Sequence, residues 1–294
     1  MMRMWMKRAL FVGLALLSVV SGPAYADWKE PPTVLTEGDA LLQQTSLDNT
    51  EERLKFRKAL VARYLDEGNK APKSNPPVLY LMGGGGAAGK GTVKNTLVKM
   101  GRLNTAGAVM VDPDDIKEQL PEYGKLVQMK DGRAAAVVHE ESSLLAKEIV
   151  KRAYENKFNI LMDVTLGDPA KGLEQIKIAK DNGYKVVLIG VTVDPALAMD
   201  RAIERAERSG RWVPRKMLLS AHKGFSEGFE QYVREADVVY LYDTTRAKEG
   251  SEPVLVGIKE GWVTKDDARY AAFMEKKGLN VDAKNKEELY TRPR

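Results

Sequence analysis

Short apolar runs alternate with amphipathic segments through the middle of the chain. Each run is bounded by glycine, proline or polar residues, as buried strands are. The predicted strands are 78–82, 108–112, 159–165, 185–193, 238–242 and 254–258. Helical periodicity between the earlier strands predicts helices at 90–100, 132–156 and 169–182. This alternation predicts an α/β fold in which a parallel sheet is covered by helices on both faces.

The segments that flank this core have patterns of their own. Ahead of it, 27–77 predicts a helical N-terminal extension of two helices, the second at 50–65, and then a polar, proline-containing connector. Behind it, a capping Thr264 and the later Gly278 predict a last helix at 264–277, and the polar tail is predicted to be loosely ordered. The chain therefore divides into predicted parts, which are 1–26, 27–77, 78–260 and 261–294.

The beginning of the chain has the layout of a secretory signal peptide. Arg3, Lys7 and Arg8 precede an apolar stretch at 9–20, and Ala24-Tyr25-Ala26 is a small-x-small cleavage site. A stretch of that length is too short to span a bilayer, which disfavours a transmembrane anchor. The sequence predicts an exported protein, periplasmic or secreted, cleaved after Ala26.

Charge and residue usage exclude several kinds of chemistry. The formal net charge is +5 over 294 residues, and three of the cations lie in the predicted leader, so a polybasic nucleic-acid binder is not indicated. The chain has no cysteine, which excludes disulfides, thiol catalysis and cysteine metal sites. Because His139 and His222 are the only histidines, histidine-rich metal sites are disfavoured as well. Catalysis must rest on carboxylates, lysine and arginine.

A glycine-rich loop follows the first predicted strand, in the stretch LYLMGGGGAAGKGT. Its spacing fits a phosphate-binding loop, in which residues without side chains let successive backbone N–H groups surround phosphate oxygens at a helix N-terminus. Lys90 would then place a point charge on the β- and γ-phosphates. A glycine-rich connection without binding function is the alternative, and the lysine between strand and helix disfavours it. The predicted nucleotide-binding residues are Gly84, Gly85, Gly86, Ala87, Ala88, Gly89, Lys90, Gly91 and Thr92.

The loop departs from the usual pattern at one position. The hydroxyl residue expected directly after the lysine, which would hold Mg²⁺, is Gly91, and Thr92 follows it. This Gly-Lys-Gly-Thr ending resembles the loops of adenylate-kinase-type small-molecule kinases. The candidate metal ligands are therefore Thr92 and Asp112, with the metal's first protein ligand left open.

Carboxylates follow the second and third predicted strands. Asp112-Pro113-Asp114-Asp115 ends the second, where acids can meet a metal ion or take a proton from a substrate hydroxyl, and where they also suit the first turn of a helix. Asp114 is the favoured catalytic residue. Asp163 and Thr165 end the third strand, where they either contact nucleotide and substrate or cap the next helix.

Arginines are concentrated after the fourth predicted strand. Such a segment can form a lid that neutralises the charge of a transferring phosphoryl group, or an ordinary surface in which Glu204 and Glu207 pair with the arginines. We expect a lid that carries a catalytic arginine. A helical His139 is more typical of a structural role, while Glu140 and Glu141 either reach the site or face water. The arginines are Arg201, Arg205, Arg208, Arg211 and Arg215.

Together these motifs resemble the zeta-toxin family of P-loop kinases. The similarity runs from the glycine loop through VDPDDIKEQLPEY, the helix with VHEE, the strand end MDVT, the segment IERAERSGRWVP and the late strand VVYLYD. It covers about 78–244. The resemblance implies a P-loop kinase-type fold, ATP and Mg²⁺ as cofactors, and phosphorylation of a sugar hydroxyl, which belongs to UDP-N-acetylglucosamine in the best-known members.

The resemblance also implies roles for individual residues. Lys90 would hold the ATP phosphates, Asp114 would be the base on the substrate hydroxyl, and Arg205 and Arg211 match two lid arginines. Substrate-binding positions fall on Asp163, in place of a glutamate, on Thr165, and near Lys147, where Glu148 is the neighbouring acid.

Three functions fit these observations. The favoured one is an ATP-dependent kinase acting on a nucleotide sugar, with delivery as an exported toxin or effector as one version of it. Its expected partner is a small antitoxin-like protein, with no nucleic acid and no membrane after leader cleavage. An acceptor such as a nucleoside monophosphate is the second. The third is an exported nucleotide-binding or partner-binding module without transferase activity, which Gly91 and the leader favour because ATP is scarce outside the cytosol.

Overall fold

A mostly parallel sheet forms the centre of the molecule. The computed structural model describes residues 26–32, 49–69, 73–246, 252–259 and 263–291. Within these ranges the sheet has seven strands in the order β2-β3-β1-β4-β5-β6-β7. The strands are β1 Val78–Gly83, β2 Ala108–Val111, β3 Asn159–Asp163, β4 Lys185–Thr192, β5 Val238–Asp243, β6 Val254–Ile258 and β7 Val263–Thr264.

The sheet combines five parallel strands with an antiparallel edge. Strands β2, β3, β1, β4 and β5 pair in parallel, whereas β6 and β7 are antiparallel. The α/β class and the parallel core are confirmed, but the expectation that the strand at 254–258 is parallel is wrong. The connection at 244–253 is shorter than the dozen or more residues that a parallel crossover needs.

Helices pack around this sheet, and several of them were not predicted. They are α1 Glu51–Asp66, α2 Lys90–Lys99, α3 Pro113–Glu118, α4 Pro121–Gln128, α5 Ala134–Val137, α6 His139–Glu155, α7 Pro169–Asp181, α8 Pro195–Ser209, α9 Arg215–Glu235 and α10 Asp267–Glu275. None of the helices in the described ranges is both long enough and apolar enough to cross a membrane.

Two predicted helices differ from those observed. The helix at 132–156 is broken into α5 and α6 at Val138, where the backbone leaves helical geometry with φ −99° and ψ 7°. The last helix begins later than predicted, since Thr264 pairs with Gly257 in the sheet. Asp266 caps α10 instead, by accepting from the N–H of Arg269 at 3.0 Å.

The helical extension before the sheet packs on the core through α1. Leu60 and Val61 are buried, and Arg53 donates from Nε to Glu141 at 2.8 Å and from Nη2 to Glu122 at 3.0 Å. Arg57 donates to the same Glu141, at 2.7 Å. The extension is therefore fixed to α4 and α6 by buried charge pairs as well as by apolar contact. The other helix predicted in this extension, and most of the predicted leader, lie outside the described residues.

Two described segments, one near each end of the chain, meet beside α8. Trp28 donates from its backbone N–H to Lys284 O at 2.8 Å and from Nε1 to Asp200 at 3.2 Å. Glu30 pairs with Arg215 at 2.8 Å, at the start of α9. The segment Asp27 to Pro32 thus bridges the C-terminal tail and the arginine-rich part of the chain.

The C-terminal tail is packed against the core as far as Thr291. Its apolar residues Leu279, Ala283 and Leu289 are buried in the same cluster as Val191 of β4. The expectation of a loosely ordered tail is wrong for these residues, because three apolar side chains spaced along a polar sequence suffice to anchor it.

Candidate active site

The glycine loop begins where β1 ends, between β3 and β4. The connection from β1 runs to β2 on one side of the sheet, whereas the connection from β3 crosses to β4 on the other side. The carboxyl end of β1 therefore lies at a topological switch point, where α/β proteins bind ligands. A Cβ atom on Gly84 would lie 2.2 Å from Val191 O, and one on Gly85 would lie 2.3 Å from the ring of His222. Gly84 has φ +145° and Gly89, which precedes α2, has φ +86°. Packing and backbone geometry therefore both demand glycine here.

The carbonyl groups of the loop are held by protein donors. Lys90 Nζ donates to Gly84 O at 3.0 Å, and the Ala88 N–H to Gly85 O at 3.2 Å. His222 Nε2 lies 2.9 Å from Gly86 O, and Thr244 Oγ1 donates to Ala88 O at 2.7 Å. A trans peptide points its C=O and the following N–H in opposite directions. The N–H groups of Gly85, Ala87 and Gly89 consequently point away from these donors.

Those N–H groups have no acceptor within the part of the chain that the structure describes. Convergent backbone N–H groups at the start of a helix form an anion-binding concavity. The positive end of α2 adds to the attraction. The arrangement is that of a phosphate cradle.

Lys90 lies between the loop and the end of β3. Its Nζ is 3.5 Å from Asp163 Oδ1, and both side chains are mostly buried. Burial raises the pKa of Asp163, while Lys90 and Lys94 act against that rise. Thr165 stands beside the loop, since its carbonyl accepts from the Gly84 N–H at 3.1 Å. The structure thus brings Lys90, Asp163 and Thr165 together with the glycines.

Asp112 and Asp114 follow β2 at the same edge of the sheet. Asp112 caps α3 by accepting from the Asp114 N–H at 2.8 Å. Burial raises the pKa of Asp112 to about 6, helped by the carboxylates of Asp163 and Asp115. Asp112 therefore both caps α3 and lies at the same edge of the sheet as the glycine loop.

Asp114 is paired with two cations. Its carboxylate contacts Lys117 at 2.9 Å and also Arg211. Burial acts to raise the pKa of Asp114, but Lys117 and Arg211 outweigh it and hold the pKa at about 2. The side chain keeps 40% of its exposure, so a solute can reach it.

The five arginines separate into groups with different contacts. Arg211 pairs with Asp114, and the buried Nε of Arg205 lacks a hydrogen-bond partner among the described residues. Burial lowers the pKa of Arg205, as does the neighbouring Arg211. Arg201 instead donates to Thr244 O at 3.1 Å, and Arg215 pairs with Glu30. Arg208 is exposed. Only Arg205 and Arg211 come to Asp114, and their catalytic role stays a prediction.

Some predicted site residues lie elsewhere. Glu148 accepts from Arg152 Nε at 2.7 Å and borders a cavity of about 420 Å³ between α1 and α6, whose lining includes no residue of the glycine loop. Glu141 is turned into the ion-pair network with α1, while His139 and Glu140 are exposed. Glu148 as a substrate ligand remains a prediction that this position does not favour.

The departure from the usual loop pattern affects Thr92, one of the two candidate metal ligands, because Gly91 stands between it and Lys90. Gly91 and Thr92 are both exposed on the first turn of α2, and a Cβ on Gly91 would meet nothing within 4 Å. No group of three or more His, Cys, Asp or Glu residues in the described ranges is arranged to hold a metal ion by itself. Asp163, however, is close enough to Asp112 for its carboxylate to raise the pKa of Asp112.

Sequence reasoning missed His222 and Thr244, which hold the loop from behind. Thr244 comes directly after β5, as Asp112 comes after β2, so the rule that strand ends meet at one edge would have found it. His222 lies within α9, 136 residues after Gly86, and no local pattern marks it.

Comparison with known proteins agrees with this geometry. The chain is 29% identical over 272 residues to the calmodulin calcium-dependent NAD kinase of Arabidopsis thaliana, covering 76% of this chain and 51% of that protein. It is 26% identical over 160 residues to toxin PezT of Streptococcus pneumoniae, covering 54% of this chain and 61% of that protein. The chain therefore spans only half to three fifths of these relatives.

Solved structures show the same fold at lower identity. The PezAT toxin-antitoxin structure from Streptococcus pneumoniae has a TM-score of 0.58 at 18% identity, covering 75% of this chain and 86% of that chain. The AvrRxo1-ORF1:AvrRxo1-ORF2 structure with ATP has a TM-score of 0.58 at 18% identity, covering 87% and 82%. The model of the Zeta toxin family matches residues 61–252, which include every element of the site described above, and the chain belongs to that family.

Proposed function

We propose that this protein is an ATP-dependent phosphotransferase that moves the γ-phosphoryl group to a hydroxyl of a nucleotide-bearing metabolite. The observation that carries the proposal is the meeting of a phosphate cradle, Lys90, an ionised Asp114 and two arginines at one edge of the sheet. These are the groups that phosphoryl transfer requires for positioning and for charge stabilisation.

The donor nucleotide binds with its phosphates in the glycine loop. The free N–H groups of Gly85, Ala87 and Gly89 donate to phosphate oxygens, and Lys90 turns from Gly84 O and Asp163 towards the β- and γ-phosphates. Family membership and the ATP-bound AvrRxo1 structure of the same fold support ATP as the donor.

The acceptor hydroxyl is placed at Asp114. In the resting arrangement its pKa of about 2 makes this carboxylate a poor proton acceptor, because Lys117 and Arg211 stabilise its charge. When Arg211 moves to the transferring phosphoryl group, the pKa of Asp114 rises towards its usual value and the carboxylate accepts the hydroxyl proton. The acceptor oxygen bonds to the γ-phosphorus while the bond to the β-phosphate oxygen breaks, and ADP leaves with that electron pair.

Mg²⁺ fits the charges of this site. Asp112 and Asp163 are carboxylates whose ionised forms are disfavoured by burial, and a divalent cation would stabilise both. Of the predicted ligands, Asp112 is the better placed, and Gly91 provides no hydroxyl beside Lys90. Mg²⁺ would neutralise phosphate charge, held by Asp112, by the phosphates and by water.

Two acceptors are supported by particular observations. UDP-N-acetylglucosamine is proposed from the resemblance of the motifs to zeta toxins, the family to which the chain belongs. NAD is supported by the Arabidopsis relative, which is a NAD kinase by name. Both present a sugar hydroxyl next to a pyrophosphate.

A small antitoxin-like protein is the partner that we propose, because the PezAT structure is that of a toxin-antitoxin system. Export through the leader at 1–26, with cleavage after Ala26, is part of the same proposal. Under this proposal the exported protein meets ATP in the compartment that receives it. N-terminal sequencing of the mature chain from the native host tests the cleavage after Ala26.

The test of the proposed function is transfer of label from γ-³²P-ATP. Protein covering 27–294 is incubated with Mg²⁺ and UDP-N-acetylglucosamine, NAD or a nucleoside monophosphate. We expect one labelled acceptor, and we expect Asp114→Asn to abolish labelling while ATP binding persists, because the amide cannot take the proton. Glu118→Gln, next to the same Arg211, is the matched control and keeps at least half of the activity.

Other results would change the assignment. Full turnover in Asp114→Asn would remove this residue from the chemistry. ATP binding without transfer to any acceptor would favour the nucleotide-binding or partner-binding module.

A further inference from the structure

His222 supports the glycine loop from behind. The side chain is 2% exposed, lies in the middle of α9, and places Nε2 2.9 Å from Gly86 O. Gly85 packs so tightly on the ring that a Cβ atom at that position would come within 2.3 Å of it. The histidine therefore makes both a steric and a polar contact with the loop.

The protonation state of His222 follows from its surroundings. Burial lowers its pKa to about 3, and the nearby cations Lys276 and Lys90 act in the same direction, so the ring is neutral at physiological pH. A carbonyl oxygen has no proton to give, so the contact with Gly86 O requires the proton on Nε2. His222 is thus a permanent hydrogen-bond donor to the loop.

Thr244 makes the corresponding contact at the other end of the loop. Its buried hydroxyl donates to Ala88 O at 2.7 Å and accepts from Arg201 Nη1 at 3.2 Å. A Cβ on Gly89 would lie 3.2 Å from this hydroxyl oxygen. The threonine therefore limits where the peptide between Ala88 and Gly89 can lie.

Each contact orients one N–H group. Because a peptide is planar, fixing the carbonyl of Gly86 points the N–H of Ala87 the opposite way, and fixing the carbonyl of Ala88 does the same for Gly89. If either carbonyl turned into the cradle, it would repel phosphate oxygens. Glycine-rich backbone has little resistance of its own to such a flip.

We propose that His222 and Thr244 are positioning residues that hold the N–H groups of Ala87 and Gly89 towards the nucleotide phosphates. The inference rests on the proposed ATP site and concerns the β- and γ-phosphates rather than the nucleoside. Loss of either donor frees a carbonyl to enter the cradle. The affinity for ATP falls, while that for AMP, which lacks these phosphates, is kept.

The experiment compares donor-keeping with donor-removing variants. His222→Gln keeps an amide nitrogen near the position of Nε2, whereas His222→Leu removes the donor. Thr244→Ser and Thr244→Val form the equivalent pair. Ser226→Ala is the matched control, because it removes another buried side-chain hydrogen bond of α9, to Phe273 O at 2.9 Å, away from the loop. ATP, ADP and AMP affinities are measured by calorimetry on the full chain, with melting temperatures alongside.

We expect His222→Leu and Thr244→Val to bind ATP and ADP about tenfold more weakly, the size of one lost buried hydrogen bond. His222→Gln, Thr244→Ser and Ser226→Ala should stay within about threefold of the unaltered protein. AMP affinity should be unchanged throughout. If His222→Leu does not fold, the threonine pair decides.

Equal loss of ATP and AMP affinity would overturn the proposal in favour of a purely structural role, as would unchanged ATP affinity in both donor-removing variants. The measurement needs no turnover, so a protein that binds ATP without transferring phosphate would contradict the proposed function and still test this inference. If the unaltered protein binds neither ATP nor inorganic pyrophosphate, the loop is not a phosphate site and the inference fails.

Discussion

The donor half and the acceptor half of the site are built in different ways. Around the glycine loop, carbonyl groups are held by buried side chains such as His222 and Thr244, and Gly84 and Gly85 pack against neighbouring atoms. Around Asp114, the contacts are ion pairs between side chains, and the carboxylate retains 40% of its exposure. One half is fixed by packing, and the other by charges that can exchange partners.

The difference matches what each half has to do. A phosphate cradle gains affinity from N–H groups that are oriented before the nucleotide arrives. The acceptor half must release Arg211 from Asp114 during the reaction, which is possible because the carboxylate is solvent-accessible and also has Lys117 as a partner. Variants of the two halves should therefore fail differently, the donor half in binding and the acceptor half in turnover.

The largest effect is expected at Lys90. Lys90→Met should lower kcat/KM about a thousandfold, because the charge that follows the transferring phosphoryl group is lost. Lys94→Met, one helical turn further along α2, is the control and should lose less than about tenfold. The measurement is steady-state kinetics with varied ATP. Equal losses in the two variants would show that the donor half acts as a diffuse positive surface.

The next effect concerns Arg211. Arg211→Gln should lower kcat about a hundredfold with little change in the KM for ATP, because its charge is needed only as the phosphoryl group transfers. The same substitution removes a cation from Asp114, so the pKa of that carboxylate should rise above about 2. NMR titration of the carboxyl carbon measures it.

Arg208→Gln, at an exposed position of α8, is the control and should have normal kinetics. A larger rise in KM than fall in kcat in Arg211→Gln would instead place this arginine among the binding groups of the donor half.

A smaller effect is expected at Glu141, which lies on α6, the helix that packs against α3 and its Asp114. Glu141 is fully buried and pairs with Arg53 and Arg57, so Glu141→Gln should lower the free energy of unfolding by about 2 kcal/mol, because it leaves two guanidinium groups with less compensation. Chemical denaturation measures it. Glu148→Gln breaks an exposed pair on the same helix and should cost less than about 0.5 kcal/mol.

The Glu148 variant also tests whether that residue binds substrate. Unchanged kinetics would agree with its place in the cavity between α1 and α6. A raised KM for the acceptor would extend the site to that surface.

The last effect should appear in the pH dependence of stability. The pKa of Asp112 is raised to about 6 in the folded protein, so its ionised form is disfavoured there and stability falls as the pH rises from about 4 to about 6. Asp112→Asn keeps the helix cap, removes this slope and should be about 3 kcal/mol more stable at pH 7 without ligand, the energy of a shift of about two pKa units. Thermal unfolding across that pH range measures it. An unchanged slope would show that Asp112 is better solvated than its contacts indicate.

Features set by local sequence could be predicted, whereas contacts between distant parts of the chain could not. Glycines, the lysine after them, and acids at strand ends are local patterns, so the sequence could predict that the loop and Asp114 lie at one edge of the sheet, while their roles stay predictions. The antiparallel β6 depends on connection length and edge pairing, which hydropathy does not encode. His222 meets Gly86 only when α9 folds across the sheet. Spacing along the helix did not separate Arg205 from Arg208; the family resemblance favoured Arg205, and the structure places it near Asp114 while Arg208 is exposed. Local chemistry was therefore predictable, and long-range support was not.

The open space around Gly91 has an evolutionary consequence. Nothing lies within 4 Å of where its Cβ would be, so packing does not require glycine at this position. Two of the four glycine codons become serine codons by a single base change, which would supply a hydroxyl directly after Lys90. From those codons the usual motif is one mutational step away, and it is sterically allowed. The fold therefore does not require the departure from the usual loop at this position.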